Sequence, residues 1–201
     1  LDFSVLDTRL EGLRVGRAMT FFEKELDPSI GDVLSVARDD LQSSGALMVR
    51  SRVVGMEAVD ELQILIREVE AASVHAAWIR RAASDYAEQI RARMAPGFGY
   101  AAVRYAESLR LRGALLKRFV DAAFADADVL MTPAIPIPTP TIAETLGDPK
   151  IVASVIGRIG STVRHMGFLG LPAVTVPCGF DDNGMPVGFQ LIGRPFADAR
   201  L

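Results

Sequence analysis

The stretch that decides the fold is Gly170-Leu-Pro-Ala-Val-Thr-Val-Pro-Cys-Gly-Phe180, followed by Asp181-Asp-Asn-Gly-Met-Pro-Val-Gly-Phe-Gln-Leu-Ile-Gly-Arg-Pro-Phe196. It contains two apolar runs typical of β-strands, residues 173–176 and 187–192, with Asn183-Gly184 between them. Asn-Gly tolerates the positive φ angles of tight hairpin turns. The pattern therefore predicts two adjacent antiparallel strands. Because both runs are apolar throughout, we expect both to be buried on two faces.

Upstream of this hairpin, the chain begins with a strand–helix–strand pattern. Residues 13–20 alternate as a strand does, and Asp27-Pro28 then offers a capping side chain and a proline suited to the first helical position. Gly45 fits the residue just past the end of that helix, and residues 46–54 predict the next strand. This order of elements is typical of a layered α/β domain.

The middle of the chain is predominantly helical. Over residues 56–94 Ala, Glu and Arg dominate, and Ser84 can cap a restart, so we expect two consecutive helices there. A third helix is predicted over residues 100–125 and a short strand over 128–131. Residues 150–168 predict one more helix, which its glycines weaken.

Composition excludes several classes of protein. The chain has 201 residues, half of them hydrophobic, and a net charge of −3 with scattered basic residues, which argues against binding nucleic acid or an anionic membrane surface. No apolar run is long enough to span a membrane. One cysteine excludes an internal disulfide and suits a reducing, cytoplasmic setting, and two histidines are too few for an ordinary zinc site. We therefore expect no metal and no cofactor. Because the chain begins at Leu1, without Met or a signal peptide, we expect it to start partway through a longer protein.

Three blocks of the sequence resemble one enzyme family, in that family's own order. They are Leu13-Arg-Val-Gly with Phe21-Phe22 and Leu26-Asp-Pro28; then Glu70-Ala-Ala with His75, Tyr86, Tyr105 and Arg112; then Asp128-Val-Leu-Met-Thr-Pro133 with Gly170 to Phe196. The chain is thereby identified as similar to the amidase signature hydrolases, the superfamily of amidases and glutamyl-tRNA amidotransferase A subunits.

This resemblance implies an α/β fold with a mixed β-sheet flanked by helices, the C-terminal part of the amidase signature fold. The family cuts amides with a Ser–cis-Ser–Lys triad in a Gly/Ser-rich loop, and no such loop occurs here. Residues 1–201 would thus be the C-terminal portion of a single domain whose N-terminal catalytic portion is absent. The implied enzyme hydrolyses a carboxylic amide to an acid and ammonia or an amine. This chain would supply cleft walls, such as the proline-rich residues 132–141, and would be inactive alone.

Two serines resemble the family's Ser-Ser-Gly core only superficially. Ser43 and Ser44 are predicted to lie in the last turn of a helix, where carbonyl oxygens rather than N–H groups are exposed, so they lack the donors that an acyl-transfer serine needs. The lysines Lys24, Lys117 and Lys150 lie outside the family's lysine context and are most simply surface residues. We therefore assign no catalytic residue to this chain.

The cysteine and the two histidines are interpreted as structural. Cys178 ends an apolar strand, where a free cysteine usually behaves as a small buried hydrophobe, so a Cys178–His165 nucleophile–base pair is disfavoured. We expect His165 to be a partly exposed polar residue on a helix. His75, among alanines and beside Trp78, is expected to pack on a helix.

Arg112 and Tyr105 are the candidate substrate-binding residues. They match a family pattern in which, among the glutamine-using members, the arginine helps bind the substrate carboxylate, a task that suits a planar, permanently charged fork. The alternative is a solvated helical arginine in an Arg-rich stretch. The implied partners are a small-molecule amide and the N-terminal half of the enzyme, with homo-oligomers also possible, but no nucleic acid and no membrane.

Two alternative functions stay open. In amidotransferase A subunits an acidic residue about ten positions before Gly-Leu-Pro holds the amino group of glutamine. An Asn commonly lies three positions before the same Gly-Leu-Pro. The place of the acidic residue is taken here by Gly160 or its neighbours Ile159 and Ser161, and Gly167 takes the place of the Asn, which favours a stand-alone amide hydrolase over part of a glutamine-dependent amidotransferase. A non-catalytic α/β binding or interaction domain would also explain the missing nucleophile.

Overall fold

The computed structural model describes residues 9–201. Within that range the chain forms five strands: β1 (Arg14–Arg17), β2 (Leu47–Arg50), β3 (Val129–Pro133), β4 (Ala173–Phe180) and β5 (Pro186–Ile192). The eight α-helices there are α1 (Met19–Phe22), α2 (Pro28–Ser43), α3 (Met56–Ala82), α4 (Glu88–Met94), α5 (Ala102–Ala123), α6 (Ile142–Leu146), α7 (Pro149–Ile159) and α8 (Arg164–Leu169). Short 3-10 segments cover Ala83–Asp85, Ala95–Phe98 and Asp198–Arg200.

The strands form one mixed sheet in the order β2-β1-β3-β5-β4. The strands β2, β1 and β3 run parallel, whereas β5 is antiparallel to both β3 and β4. On one face, α1, α3, α5 and α8 pack against Leu130 and Ile192. On the other face, α2 packs against Val129, Met131 and Phe189. The predicted α/β fold, with helices flanking a mixed sheet, is therefore confirmed.

The C-terminal hairpin forms as predicted. Strands β4 and β5 are adjacent and antiparallel, and the turn between them contains Asn183-Gly184, with Gly184 at φ +74°. The Asp181 carboxylate oxygen Oδ1 accepts hydrogen bonds from the backbone N–H groups of Asn183 and Met185, each at 2.9 Å. Its side chain therefore replaces backbone partners within the turn.

The strand–helix–strand unit also follows its local signals. The Asp27 carboxylate accepts a hydrogen bond from the backbone N–H of Ser29 at 3.0 Å and so caps α2, whose first residue is Pro28. The helix ends at Ser43, and Gly45 follows with φ +99°, a value that few other residues adopt. The chain then enters β2, parallel to β1.

Two helix boundaries differ from the prediction. The helical run after Met56 does break into two helices, but Ser84 lies inside a 3-10 segment and does not cap α4, which Ala87 precedes without any side-chain cap. The single helix expected over residues 150–168 is two helices, because α7 ends at Ile159 and four residues separate it from α8. None of the helices described is both long enough and apolar enough to cross a membrane.

The prediction that both hairpin strands are buried on two faces is wrong for β4. Most β4 residues are exposed, and Val174 and Phe180 expose 37% and 69% of their surface, whereas β5 is largely buried. The reason is position, since β4 is the last strand of the sheet and β5 lies between two neighbours. On one face of β4, Val176 and Cys178 are partly buried against the apolar residues that pack around α2.

A pair of opposite charges joins the first residue of β1 to the residue before β3. The Asp128 carboxylate accepts hydrogen bonds from the backbone N–H of Arg14 at 3.0 Å and from its guanidinium at 2.9 and 3.2 Å. In return, the backbone N–H of Asp128 donates to the carbonyl oxygen of Arg14 at 2.8 Å. These hydrogen bonds from Arg14 lower the pKa of Asp128 from 3.8 to about 2.

We expect the stabilisation from Asp128 to depend on pH. Because the pKa is lower in the folded state, ionised Asp128 stabilises the fold above about pH 4, and this contribution is lost as the pH falls through about 2. Asp128→Asn should therefore lower the urea midpoint at pH 6, and its deficit relative to the wild type should shrink toward pH 2.5. The matched control is Asp126→Asn, an exposed neighbour. A deficit of constant size across this pH range would contradict the expectation.

Candidate substrate-binding surface

Helix α5 places Arg112 on its inward side. Tyr105, Ser108, Arg112, Leu115 and Phe119 follow at helical spacing and so lie along one face. Ser108, Leu115 and Phe119 are buried, which shows that this face turns toward the protein, yet Arg112 is exposed. An ordinary solvated arginine would lie on the opposite face. At Arg112 the inner side of α5 is therefore open to solvent.

The Arg112 guanidinium lies against the backbone that leads into β4. A Cβ atom placed on Gly170 would lie 2.7 Å from Nη2 of Arg112, so the guanidinium lies directly over this glycine. Gly170 also has φ +72° and ends α8 by donating its N–H to the carbonyl oxygen of Met166 at 2.8 Å. Arg112 makes no hydrogen bond or ion pair within residues 9–201. Its donors are therefore available to a ligand.

Tyr105 lies on the same face of α5, seven residues before Arg112, which corresponds to about 10 Å along the helix. Its hydroxyl donates a hydrogen bond to Oε1 of Glu70 at 3.1 Å, and this bond raises the pKa of Tyr105 above its usual value. The structure thus holds Tyr105 against α3 and brings the two candidate residues to one surface without direct contact. We call this the Arg112 surface, formed by Glu70, Tyr105, Arg112 and Gly170.

The expectation that His165 is partly exposed is wrong. Only 1% of its surface is exposed, its Nε2 atom lies 3.0 Å from Oδ1 of Asp60, and the Phe21 ring meets it edge-on at 5.0 Å. Burial lowers its pKa, although Asp60 acts in the opposite direction. His165 belongs to α8, on one face of the sheet, while Cys178 packs against the cluster on the other face. The two cannot form a nucleophile–base pair.

Cys178 and His75 both lie in structural settings. The Cys178 thiol lies 3.5 Å from the carbonyl oxygen of Val187, and burial raises its pKa, which disfavours the reactive thiolate. His75 is half-buried on α3, with Nδ1 2.9 Å from the Tyr86 hydroxyl and the Trp78 ring 5.6 Å away. Neither group is placed to act as a nucleophile or as its base.

The structure places the two serines where the sequence predicts. Ser43 is the last residue of α2, and Ser44 follows it with its hydroxyl donating to the carbonyl oxygen of Asp40 at 2.8 Å. All three lysines considered above are exposed. No nucleophile, base and oxyanion donors therefore come together among these residues.

The sequence reasoning missed a polar row that crosses the apolar sheet. Thr132 on β3, Gln190 on β5 and Thr175 on β4 lie opposite one another and so share one face. Thr132 and Gln190 are buried, and Oγ1 of Thr132 and Nε2 of Gln190 have no hydrogen-bond partner within the described residues. The signal was a glutamine inside an otherwise apolar run. The row ends at Thr175, which is exposed on the edge strand β4.

Comparison with known proteins supports the resemblance seen in the sequence. The family model described as Amidase matches residues 3–201. The A subunit of glutamyl-tRNA(Gln) amidotransferase from Agathobacter rectalis is 27% identical over 96% of this chain and 42% of that protein. The 2-amino-5-chloromuconic acid deaminase of Comamonas testosteroni is 33% identical over 96% of this chain and 42% of that protein. A solved structure that bears on the origins of an s-triazine catabolic enzyme superimposes with a TM-score of 0.78 at 25% identity, over 97% of this chain and 42% of that one. The chain thus spans about two-fifths of the length of these relatives.

Proposed function

This chain belongs to the amidase family, and we propose that it forms the C-terminal part of an enzyme that hydrolyses a carboxylic amide to an acid and ammonia or an amine. The observation that carries the proposal is Arg112, an unpaired guanidinium on the inward side of α5 that lies against Gly170. A free guanidinium just before the edge strand β4 suits a substrate carboxylate, because the guanidinium can donate two parallel hydrogen bonds to that carboxylate. In this role Arg112 binds and orients the substrate and takes no part in bond cleavage.

The nucleophile, in this proposal, comes from an N-terminal segment that packs against β4. Two observations support it: the relatives are more than twice as long as the match, and β4 is exposed although largely apolar. The chain then supplies one wall of the cleft, with the proline-rich residues 132–141 beside β4. The single cysteine of this chain, which excludes a disulfide within it, suits a reducing cytoplasm.

The substrate class that we propose is an amide that also carries a carboxylate. The Comamonas relative acts, by its name, on an acid. At Gly160, the position at which the resemblance places an acidic residue in the amidotransferases, a Cβ atom would lie 2.6 Å from Nη2 of Arg164. The Arg164 guanidinium therefore occupies the space that an acidic side chain would need at this position. The missing acidic group favours a stand-alone hydrolase over the amidotransferase alternative.

Arg112→Ala, made in the complete enzyme, tests the proposal. For an amide bearing a carboxylate we expect KM to rise about 10- to 100-fold, because a charge-assisted hydrogen bond of roughly 1.5–3 kcal/mol is lost. For a neutral amide of the same length KM should change by less than about threefold, since it makes no such bond. Arg112→Lys should lie between, because lysine keeps the charge and loses the fork. The measurement is kcat and KM for the matched substrate pair.

The control is Arg110→Ala, an exposed arginine of the same helix that lies off the inward face. It should leave both substrates unaffected. If Arg112→Ala raises KM equally for both amides, or if Arg110→Ala has the same effect as Arg112→Ala, Arg112 is a solvated surface residue and the substrate class is wrong.

A further inference from the structure

A second cationic site lies away from the Arg112 surface. A cavity of about 450 Å³ opens between α3, α4, α7 and α8, and it is lined by three arginines, Arg67, Arg93 and Arg164, with Glu88 as the one acidic group of the lining. No residue of the Arg112 surface lines it. Its volume falls in the range of small-molecule sites, about 300–1,000 Å³.

The three arginines differ in how firmly they are held. Arg164 is fixed, because its Nε donates to the carbonyl oxygen of Gly160 at 2.7 Å and its Nη2 to that of Gly157 at 2.5 Å. Arg67 lies 3.5 Å from the Glu68 carboxylate and remains exposed. Arg93 makes no hydrogen bond or ion pair within the described part of the chain. One guanidinium therefore shapes the cavity and another is free to receive a ligand.

Like charges face one another across this cavity. Burial lowers the pKa of Arg164, Arg67 and Arg93 lower it further, and Asp60 acts against them. The carboxylates of the neighbouring helix are already engaged, since Asp60 lies 3.0 Å from Nε2 of His165 and Glu68 pairs with Arg67. Arg93 therefore adds a positive charge that neither of these carboxylates pairs with, and a bound anion would pair with it.

The opposite wall of the cavity is apolar. It is formed by Leu146, Val152, Ala153 and Ile156. A hydrated inorganic ion would leave these side chains without a partner, whereas a ligand with an apolar body can cover them. We propose that this cavity binds a small organic carboxylate, with its carboxylate on Arg93 and Arg67 and its apolar body against α7.

The binding of hexanoate to the complete protein, measured by calorimetry with hexan-1-ol as the neutral ligand of equal length, tests the proposal. Hexanoate should bind at least about 10-fold more tightly than hexan-1-ol. Arg93→Ala should weaken hexanoate binding about 5- to 10-fold and leave hexan-1-ol unchanged. Arg93 has no partner to lose within residues 9–201, so its replacement should not disturb folding. Ile156→Ala should weaken both ligands, because it shortens the apolar wall.

The matched control is Arg91→Ala, an exposed arginine of the same helix that does not line the cavity. It should change the affinity for hexanoate by less than about twofold. The proposal is overturned if hexanoate binds no better than hexan-1-ol, or if phosphate binds while hexanoate does not. It is also overturned if Arg91→Ala or Arg112→Ala costs as much as Arg93→Ala. Because the readout is binding alone, failure of the proposed amidase activity would leave this result interpretable.

Discussion

The 201-residue chain on its own will neither hydrolyse an amide nor take label from a fluorophosphonate. Amide cleavage by an activated serine needs the nucleophile, its base and oxyanion donors in one constellation. Ser43 and Ser44 lie at the end of α2, where carbonyl groups are exposed, and the Ser44 hydroxyl is bound to the backbone of Asp40. Exposed β4, with Val174 and Phe180, should also make the isolated chain self-associate, which light scattering would detect.

When an N-terminal amidase segment is joined to the chain or supplied in trans, we expect the inactive chain to become active. Turnover should appear, a serine outside residues 1–201 should take the label, and light scattering should fall as β4 is covered. A Ser43→Ala/Ser44→Ala double variant serves as control and should be labelled as fully as the wild type. Robust labelling of Ser43 or Ser44 in the isolated chain would overturn the assignment of roles. No labelling after addition of the segment would favour a non-catalytic binding domain.

Gly97→Ala should destabilise the protein by about 3 kcal/mol, and its melting temperature should fall by about 6–12 °C. Gly97 lies in the 3-10 segment Ala95–Phe98, packed against α3. A Cβ atom there would lie 2.0 Å from the carbonyl oxygen of Glu68 and 2.8 Å from Cβ of Ala72. The nearest obstacle is helix backbone, which cannot turn aside as a flexible side chain can. The whole segment must therefore move away from α3.

Gly113→Ala is the matched control for this substitution. Gly113 lies inside α5 and is exposed, and no described atom outside its own helical surroundings lies within 4 Å of the position that an alanine methyl would take. The same change should there raise stability by roughly 0.5–1 kcal/mol, because alanine restricts the unfolded chain more than glycine does. Thermal unfolding of the two variants and the wild type tests whether Gly97→Ala lowers the melting temperature and Gly113→Ala raises it. Equal melting temperatures for the two variants would show that the contact with Glu68 relaxes at little cost.

The parts of the fold that the sequence predicted are those that local chemistry decides. Asp27 caps α2 through a neighbour two residues away, and Asn183-Gly184 makes its turn with Asp181. The burial of β4 was predicted wrongly because it depends on which strand lies at the edge of the sheet. His165 was predicted wrongly because its partner, Asp60, is 105 residues away. Apolar runs and single histidines do not carry such long-range information.

The candidate sites also combine features that the sequence predicts with features that depend on how the helices pack. Arg112 was found through a family resemblance, and only the structure shows that it lies on the inward stripe of α5. Arg67, Arg93 and Arg164 come from three different helices, and each taken alone has the pattern of a solvated arginine. Their convergence on one cavity depends on how α3, α4 and α8 pack, which no short motif records.

The placement of β3 at the centre of the sheet has a consequence for how the protein is made. Its five residues are all buried, yet its neighbours are β1, far upstream, and β5, far downstream. As the chain leaves the ribosome, Val129–Pro133 has an unpaired edge until residues 186–192 have been synthesised. Nascent chains are therefore most prone to aggregate during that interval. Slow translation or a stop codon before Pro186 should therefore increase the fraction of chains bound by chaperones. This increase should exceed that caused by the loss of the β4–β5 hairpin alone, because β3 is also left unpaired.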